Sequence, residues 1–146
     1  LINEKKQVLV SDELIRGMKI TKFCGGGLEF GEGTIDCLIR EFKEEMNVAI
    51  NVKNHLYTTD FFQQSAFNKA HQILSIYYHV EATELNHVVF SEVPFLFSKS
   101  AMDNYQTTQQ AESFRFIDIA KFSADCMTLP IDKKVAEIIL EINNVK

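Results

Sequence analysis

Apolar and polar positions recur along this chain with two different periods, and the switches between them mark its elements. Leu1 and Ile2 read as the tail of a strand, Asn3-Glu4-Lys5-Lys6 as a polar turn, and Gln7 to Val10 as a short β-branched strand. Ser11 to Gly17 fits neither period cleanly, whereas Lys19 to Cys24 alternates around Ile20 and Phe23 as a further strand. From Ile35 the period lengthens. Ile35, Leu38, Ile39, Phe42 and Met46 recur at helical spacing and form one apolar stripe, with Thr34 placed to cap the helix start. Asn47 stands at the helix end, where the backbone turns left-handed and Asn is the best choice after glycine. Val48 to Val52 and Leu56 to Phe62 predict strands and Gln63 to Ala70 a polar connection. Gln72 to Glu81 predicts the clearest strand, from its Ile, Tyr and Val content. Residues 83 to 112 show no clear period, and Asn104 to Gln110 reads as a polar loop. Ser113 to Ile119 alternates as a strand, and Leu129-Pro130 opens a second helix with Val135, Ile138, Ile139 and Ile142 on its apolar face. Strands, helix, strands, helix predicts a layered α+β domain.

Composition narrows this only slightly. The 146 residues suit one domain spanning residues 1–146, and 46% apolar with 24% charged residues is ordinary for a globular chain. The net charge of −5 argues against a nucleic-acid duplex as partner, because phosphate binders need a basic face. No apolar run approaches the roughly 20 residues of a membrane span, and no secretory signal is visible. Cys24, Cys37 and Cys126 are an odd set without C-x-x-C spacing, which predicts reduced thiols and a cytoplasmic location. Either a monomer or a homodimer is compatible with these features.

Charge distribution changes the picture far more than total charge. Glu29, Glu32, Asp36, Glu41, Glu44 and Glu45 face only Arg40 and Lys43 within residues 29–45, so −4 of the −5 sits in one helix and its lead-in loop. Glu41 is the i,i+3 and i,i+4 neighbour of Glu44 and Glu45, and like charges at those spacings destabilise a bare helix. A hard divalent cation, Mg2+, Mn2+ or Ca2+, is the natural neutralising partner for such oxygen ligands, with Mg2+ or Mn2+ the expected cofactor.

The stretch Gly26 to Val48, GGLEFGEGTIDCLIREFKEEMNV, resembles the signature of the Nudix hydrolases, G-x5-E-x7-R-E-U-x-E-E-x-G-U with U a bulky aliphatic residue. Gly26, Glu32, Arg40, Glu41, Glu44, Glu45 and Val48 stand on its fixed positions; Phe42 replaces the usual aliphatic and Asn47 the second glycine. The resemblance implies the Nudix fold, a mixed β-sheet between helices in an α/β/α sandwich. It also implies that the N-terminal strand of that sheet is incomplete here, with roughly ten residues expected upstream. The implied activity is metal-dependent cleavage of a pyrophosphate bond in a nucleoside diphosphate linked to another moiety, a nucleotide, nucleotide sugar or dinucleotide. The alternative is a catalytically silent nucleotide-binding or regulatory module of the same fold.

By the same resemblance the metal ligands are the Gly26 carbonyl, Glu41, Glu44 and Glu45, with Glu44 also a candidate base. Arg40 and Glu32 orient these carboxylates. Glu112, just before Phe114-Arg115-Phe116, is the best candidate for a base outside the signature, and Glu92 the second. For the small-molecule nucleotide substrate, Phe61, Phe62 and Tyr105, together with Tyr57, offer stacking faces. Arg16, Lys22 and Arg115 are the cations available to phosphates. An isoprenoid-diphosphate isomerase of the wider fold would need a positioned catalytic cysteine and a different glutamate motif. Neither surrounds Cys24, Cys37 or Cys126.

Overall fold

The strand read from Gln7 to Val10 does not stop at Ser11 but runs on through Ile15, making it the axis of the molecule. In the computed structural model, which describes residues 1–144, the elements run as follows: β1 (Gln7–Ile15), β2 (Met18–Lys22), α1 (Thr34–Met46), β3 (Ile50–Thr58), β4 (Ile76–Ala82), α2 (Lys99–Thr108), β5 (Gln110–Asp118) and α3 (Pro130–Asn144). Val8, Leu9, Val10, Ser11 and Asp12 are buried in succession, so both faces of β1 are covered. Leu9 packs on the α1 side with Phe42, Met46, Val48, Ile50 and Val80. Val8 and Val10 pack on the α3 side with Ile117, Phe122, Val135, Ala136 and Ile139. Full burial of a side chain the size of Phe42 contributes roughly 2–3 kcal/mol, so this helix is held mainly by its tertiary face.

β1 pairs antiparallel with β2 and β5, giving the order β2-β1-β5, and β3 pairs antiparallel with β4 as a separate ribbon. The α+β class is therefore as expected, with two antiparallel sheets where one mixed sheet was predicted. Among the described residues the parallel component is one bridge between Phe90 and Phe114. β1 turns into β2 through Arg16 (φ 49°) and Gly17 (φ 82°), the left-handed pair that matches a two-residue hairpin. The two strands predicted around residues 48–62 are one strand, β3, interrupted by register shifts between Val52, His55 and Tyr57. The strand expected from Gln72 begins only at Ile76, and the polar loop expected over 104–110 is mostly helix α2, capped by Ser98 accepting from Ala101 N at 3.1 Å.

Both long helices are rotated relative to their apolar stripes. In α1 the buried residues are Cys37, Phe42 and Met46, while Ile35 and Ile39 are 46% and 42% exposed. The cap is Gly33 rather than Thr34, whose hydroxyl instead lies 2.8 Å from the Tyr78 hydroxyl. Asn47 ends the helix in the left-handed region (φ 54°, ψ 34°), as expected. In α3 the buried seam is Ile131, Asp132, Val135, Ala136 and Ile139, and Ile142 faces out. None of the helices is long and apolar enough to cross a membrane among the described residues.

Asp132 is buried in the first turn of α3, where its Oδ1 accepts from the Tyr77 hydroxyl at 3.0 Å and from Phe23 N at 3.5 Å. Burial pushes its carboxyl up to about 6, against the pull of those two bonds. The folded carboxyl thus holds its proton more tightly than the unfolded one. Its stabilising contribution is complete below about pH 4 and is lost as pH rises through about 6. Asp132→Asn keeps the acceptor oxygen and removes the charge. It is expected to stabilise the fold by roughly 1–3 kcal/mol at pH 7.5 and by little at pH 4, read from thermal or urea unfolding at the two pH values.

Candidate active site

The turn after β2 is built by glycine for a steric reason specific to one position. A Cβ on Gly26 would lie 2.2 Å from the Glu41 carboxylate, so only a residue without a side chain allows α1 to bring Glu41 down onto the turn. Three side chains pin the turn by its carbonyls. Lys22 Nζ donates to Gly25 O at 2.9 Å, Arg40 Nη2 to Gly27 O at 3.0 Å, and the Cys37 thiol to Gly27 O at 3.4 Å.

Arg40 is the brace on the outer side. Its Nε and Nη2 clasp both oxygens of Glu32 at 3.0 and 2.7 Å, while Nη1 reaches Glu41 at 2.7 Å and Glu44 at 3.2 Å. The Arg40 bonds, then the Glu29 N–H, lower the Glu32 carboxyl to about 2. Arg40 thus ties Glu32, Glu41 and Glu44 into one network. Glu44 remains the outermost acid, its side chain 61% exposed against 13% for Glu41.

The inner side is a second carboxylate group. The rotation of α1 turns Glu45 inward toward the sheet. On the same sheet face, Ser11 and Glu13 of β1 stand opposite Lys22 of β2 and Glu112 of β5 respectively. Ser11 donates to Glu112 at 2.5 Å, and Lys22 pairs with Glu13 at 2.8 Å. One oxygen of Glu45, Oε2, is buried with no hydrogen-bond partner. Burial, then the charge of Glu112, pushes the Glu45 carboxyl up to about 8; burial pushes Glu112 up to about 7 despite the Ser11 bond. Desolvation and the nearby Glu112 charge raise the Cys24 thiol as well, which keeps it protonated and a poor nucleophile.

These residues suit a hard cation by chemistry: carboxylate and carbonyl oxygens, a buried oxygen with no partner, and a glycine cradle that a Cβ would fill. Among the described residues no three acids, histidines or cysteines already converge as a ligand cage. Arg40 draws Glu41 and Glu44 outward, while Lys22 stands among the inner acids. Of the expected site residues, Gly26, Arg40, Glu41, Glu44, Glu45 and Glu112 are thus gathered around the turn.

Of the expected substrate contacts Lys22 lies at the turn, and the others that follow lie elsewhere. Arg16 is exposed in the β1–β2 hairpin, three residues beyond Glu13. Tyr105 sits half-buried on α2, the helix that directly precedes β5. Phe61 and Phe62 line a shallow hollow of about 370 Å3 at the end of the β3–β4 ribbon. Arg115 is on the opposite sheet face, bound through Nε and Nη2 to the buried Asp12 at 2.5 and 3.2 Å, so it is not available to phosphates. Glu92 is exposed.

Sequence reading missed Glu13 and Ser11, whose signal was the i,i+2 spacing of strand residues within a stretch that fitted no period. It also missed the aromatic wall beside the turn. Phe23, Tyr77 and Tyr78 line a cleft of about 1170 Å3 together with Gly25, Gly26, Gly27 and Asp132.

No curated protein matches the chain. The family model described as NUDIX domain matches residues 1–120, which takes in every element through β5 and the whole acidic site. With a match over most of its length and the signature glutamates gathered at the glycine turn, the chain belongs to the Nudix hydrolase family.

Proposed function

We propose that this protein is a Mg2+- or Mn2+-dependent hydrolase that cleaves a pyrophosphate bond in a nucleoside diphosphate linked to another moiety. The observation that carries this reading is the inward-turned Glu45, whose buried, unpartnered oxygen lies by the charge of Glu112 beside the Gly26 turn. Two buried carboxylates with raised proton affinity are held together at a site with a cradle for a third, Glu41. That arrangement is unfavourable for an unassisted fold and suited to one that binds a cation.

Glu41, Glu45 and the turn carbonyl of Gly26 would hold the ion, with Glu44 and Glu112 close behind. A bound divalent ion neutralises phosphate oxygens and makes water a stronger nucleophile. The chain's own residues do the rest. Arg40 fixes Glu32 and Glu41 and so sets the outer wall of the site. Glu112, enclosed and held by Ser11, with burial raising its carboxyl to about 7, would be the base that accepts a proton. The cleft beside the turn carries Phe23, Tyr77 and Tyr78, an apolar wall with hydroxyl tips that suits a base or sugar next to the diphosphate.

The test is a panel of nucleotides, nucleotide sugars and dinucleoside polyphosphates incubated with Mg2+ or Mn2+, with products followed by chromatography. Cleavage between two phosphoryl groups, abolished by a chelator, is the expected result. Tight nucleotide binding under saturating metal without turnover would replace this reading with the silent binding module.

A further inference from the structure

We propose that Lys22 is a built-in counter-ion of the inner carboxylates and a positioning residue for the cation site, occupying the acids until a divalent ion displaces its ammonium. The inference rests on the metal-dependent reading of the site and adds a residue and a sign to it.

Lys22 is the last residue of β2, directly ahead of the glycine turn, and its place is set by strand register. It stands opposite Ser11, next to Glu13 on the same sheet face, and Glu112 stands opposite Glu13 on the other side. Its ammonium lies 2.8 Å from Glu13 Oε1 and 2.9 Å from Gly25 O. A lysine ammonium has three donors, and these two contacts use two of them, leaving its charge near two further acids. Those acids are Glu45 from α1 and Glu112 from β5. Burial opposes a charge on Lys22, yet Glu13, then Glu45 and Glu112, hold its proton affinity above the ordinary lysine value. One tethered cation therefore holds one carboxylate and one carbonyl of the turn, with the charges of Glu45 and Glu112 near it.

This explains two features together. The positive charge beside the inner acids offsets part of the cost of holding them together and leaves the rest uncompensated. They do not yet form a ligand cage because that charge is a side chain, with donors to share but no ability to draw oxygens into a shell. A divalent ion that gathers Glu45 and the turn would repel Lys22 from the Gly25 carbonyl and leave it on Glu13 alone. Glu13, with its side chain 13% exposed, is the resting place for it.

The consequence has a sign opposite to that of an ordinary structural ion pair, whose loss would loosen the site and weaken metal binding. Lys22→Met keeps the length of the stem and removes the charge. Mn2+ is titrated into each purified protein without substrate, and the free ion is followed by electron paramagnetic resonance. Lys22→Met is expected to bind Mn2+ at least about tenfold more tightly than the wild type, because a nearby like charge is gone. Lys22→Arg is expected to bind no more tightly than the wild type.

Equal or weaker binding by Lys22→Met, with wild-type binding intact, overturns the role of Lys22 and leaves the metal-dependent reading standing. Absence of Mn2+ binding by both proteins overturns both. If circular dichroism shows Lys22→Met to be unfolded, Lys22→Gln carries the same expectation and is judged by the same criteria.

Discussion

Glu45→Gln is expected to lower the metal-supported kcat by about 10^2–10^4-fold, the range that one catalytic proton-transfer or ligand group contributes, while leaving the fold more stable than the wild type. The two effects have one cause. Glu45 is carried inward by the rotation of α1, its Oε2 finds no partner, and the charge of Glu112 works against its own. Glutamine fills the same space, removes one of two competing charges and loses the hard anionic ligand. The melting temperature of the metal-free protein should therefore rise in the same variant whose turnover collapses, as happens where a site is held in an unfavourable state for function. Added Mn2+ should raise the melting temperature of the wild type and shift that of Glu45→Gln much less. If stability and activity fall together, Glu45 supports the fold and the site has been misassigned. If activity is unaffected, the carboxylate is not a ligand.

The part of this site that could be read directly from sequence is the part that lies within one continuous segment. Gly26, Glu32, Arg40, Glu41, Glu44 and Glu45 are linked by loop and helix spacing, and spacing along a helix fixes which side chains are neighbours. Arg40 clasping Glu32 across the turn follows from that spacing. Glu13 and Ser11 were hidden because their meeting with Glu112 depends on strand register between residues far apart in the chain, and for the same reason Lys22 was legible only as a cation. Polar residues in succession at Ser11, Asp12 and Glu13 also disguised the strand itself. Each is polar for a different reason: Ser11 and Glu13 face the acids, and Asp12 faces Arg115 and Thr21 on the other side.

The helix stripes misled for a related reason. Ile35 and Ile39 complete a regular pattern, yet α1 is turned so that Phe42 and Met46 share the inward side with Glu41 and Glu45. A purely apolar seam would have packed better and left no site. α2 escaped notice because it buries no residue fully, so no stripe marks it; Ser98 was its one local signal. α3 lies beyond the matched residues 1–120 and still supplies three of the eight buried residues of one core, Val135, Ala136 and Ile139.

Gly26→Ala is expected to reduce turnover by about 100-fold or more with a change in stability below about 1 kcal/mol, because it displaces a carboxylate rather than the backbone. The added Cβ would meet the Glu41 carboxylate at 2.2 Å, and that group is the free end of a flexible side chain. It would swing aside at small energetic expense to the fold, since Gly26 does not occupy the left-handed region where alanine is strained. The swing would take Glu41 off the turn and disturb the 2.7 Å bond from Arg40. A displacement of about 1 Å in a catalytic constellation is enough for a loss of that size. The decisive measurement is a double-mutant cycle on kcat/KM with Glu41→Ala. If the methyl group acts through Glu41, Gly26→Ala should have almost no further effect once Glu41 is gone. If instead the two losses multiply, the glycine serves some other contact, and the close approach of Glu41 to the turn is not what makes that position glycine.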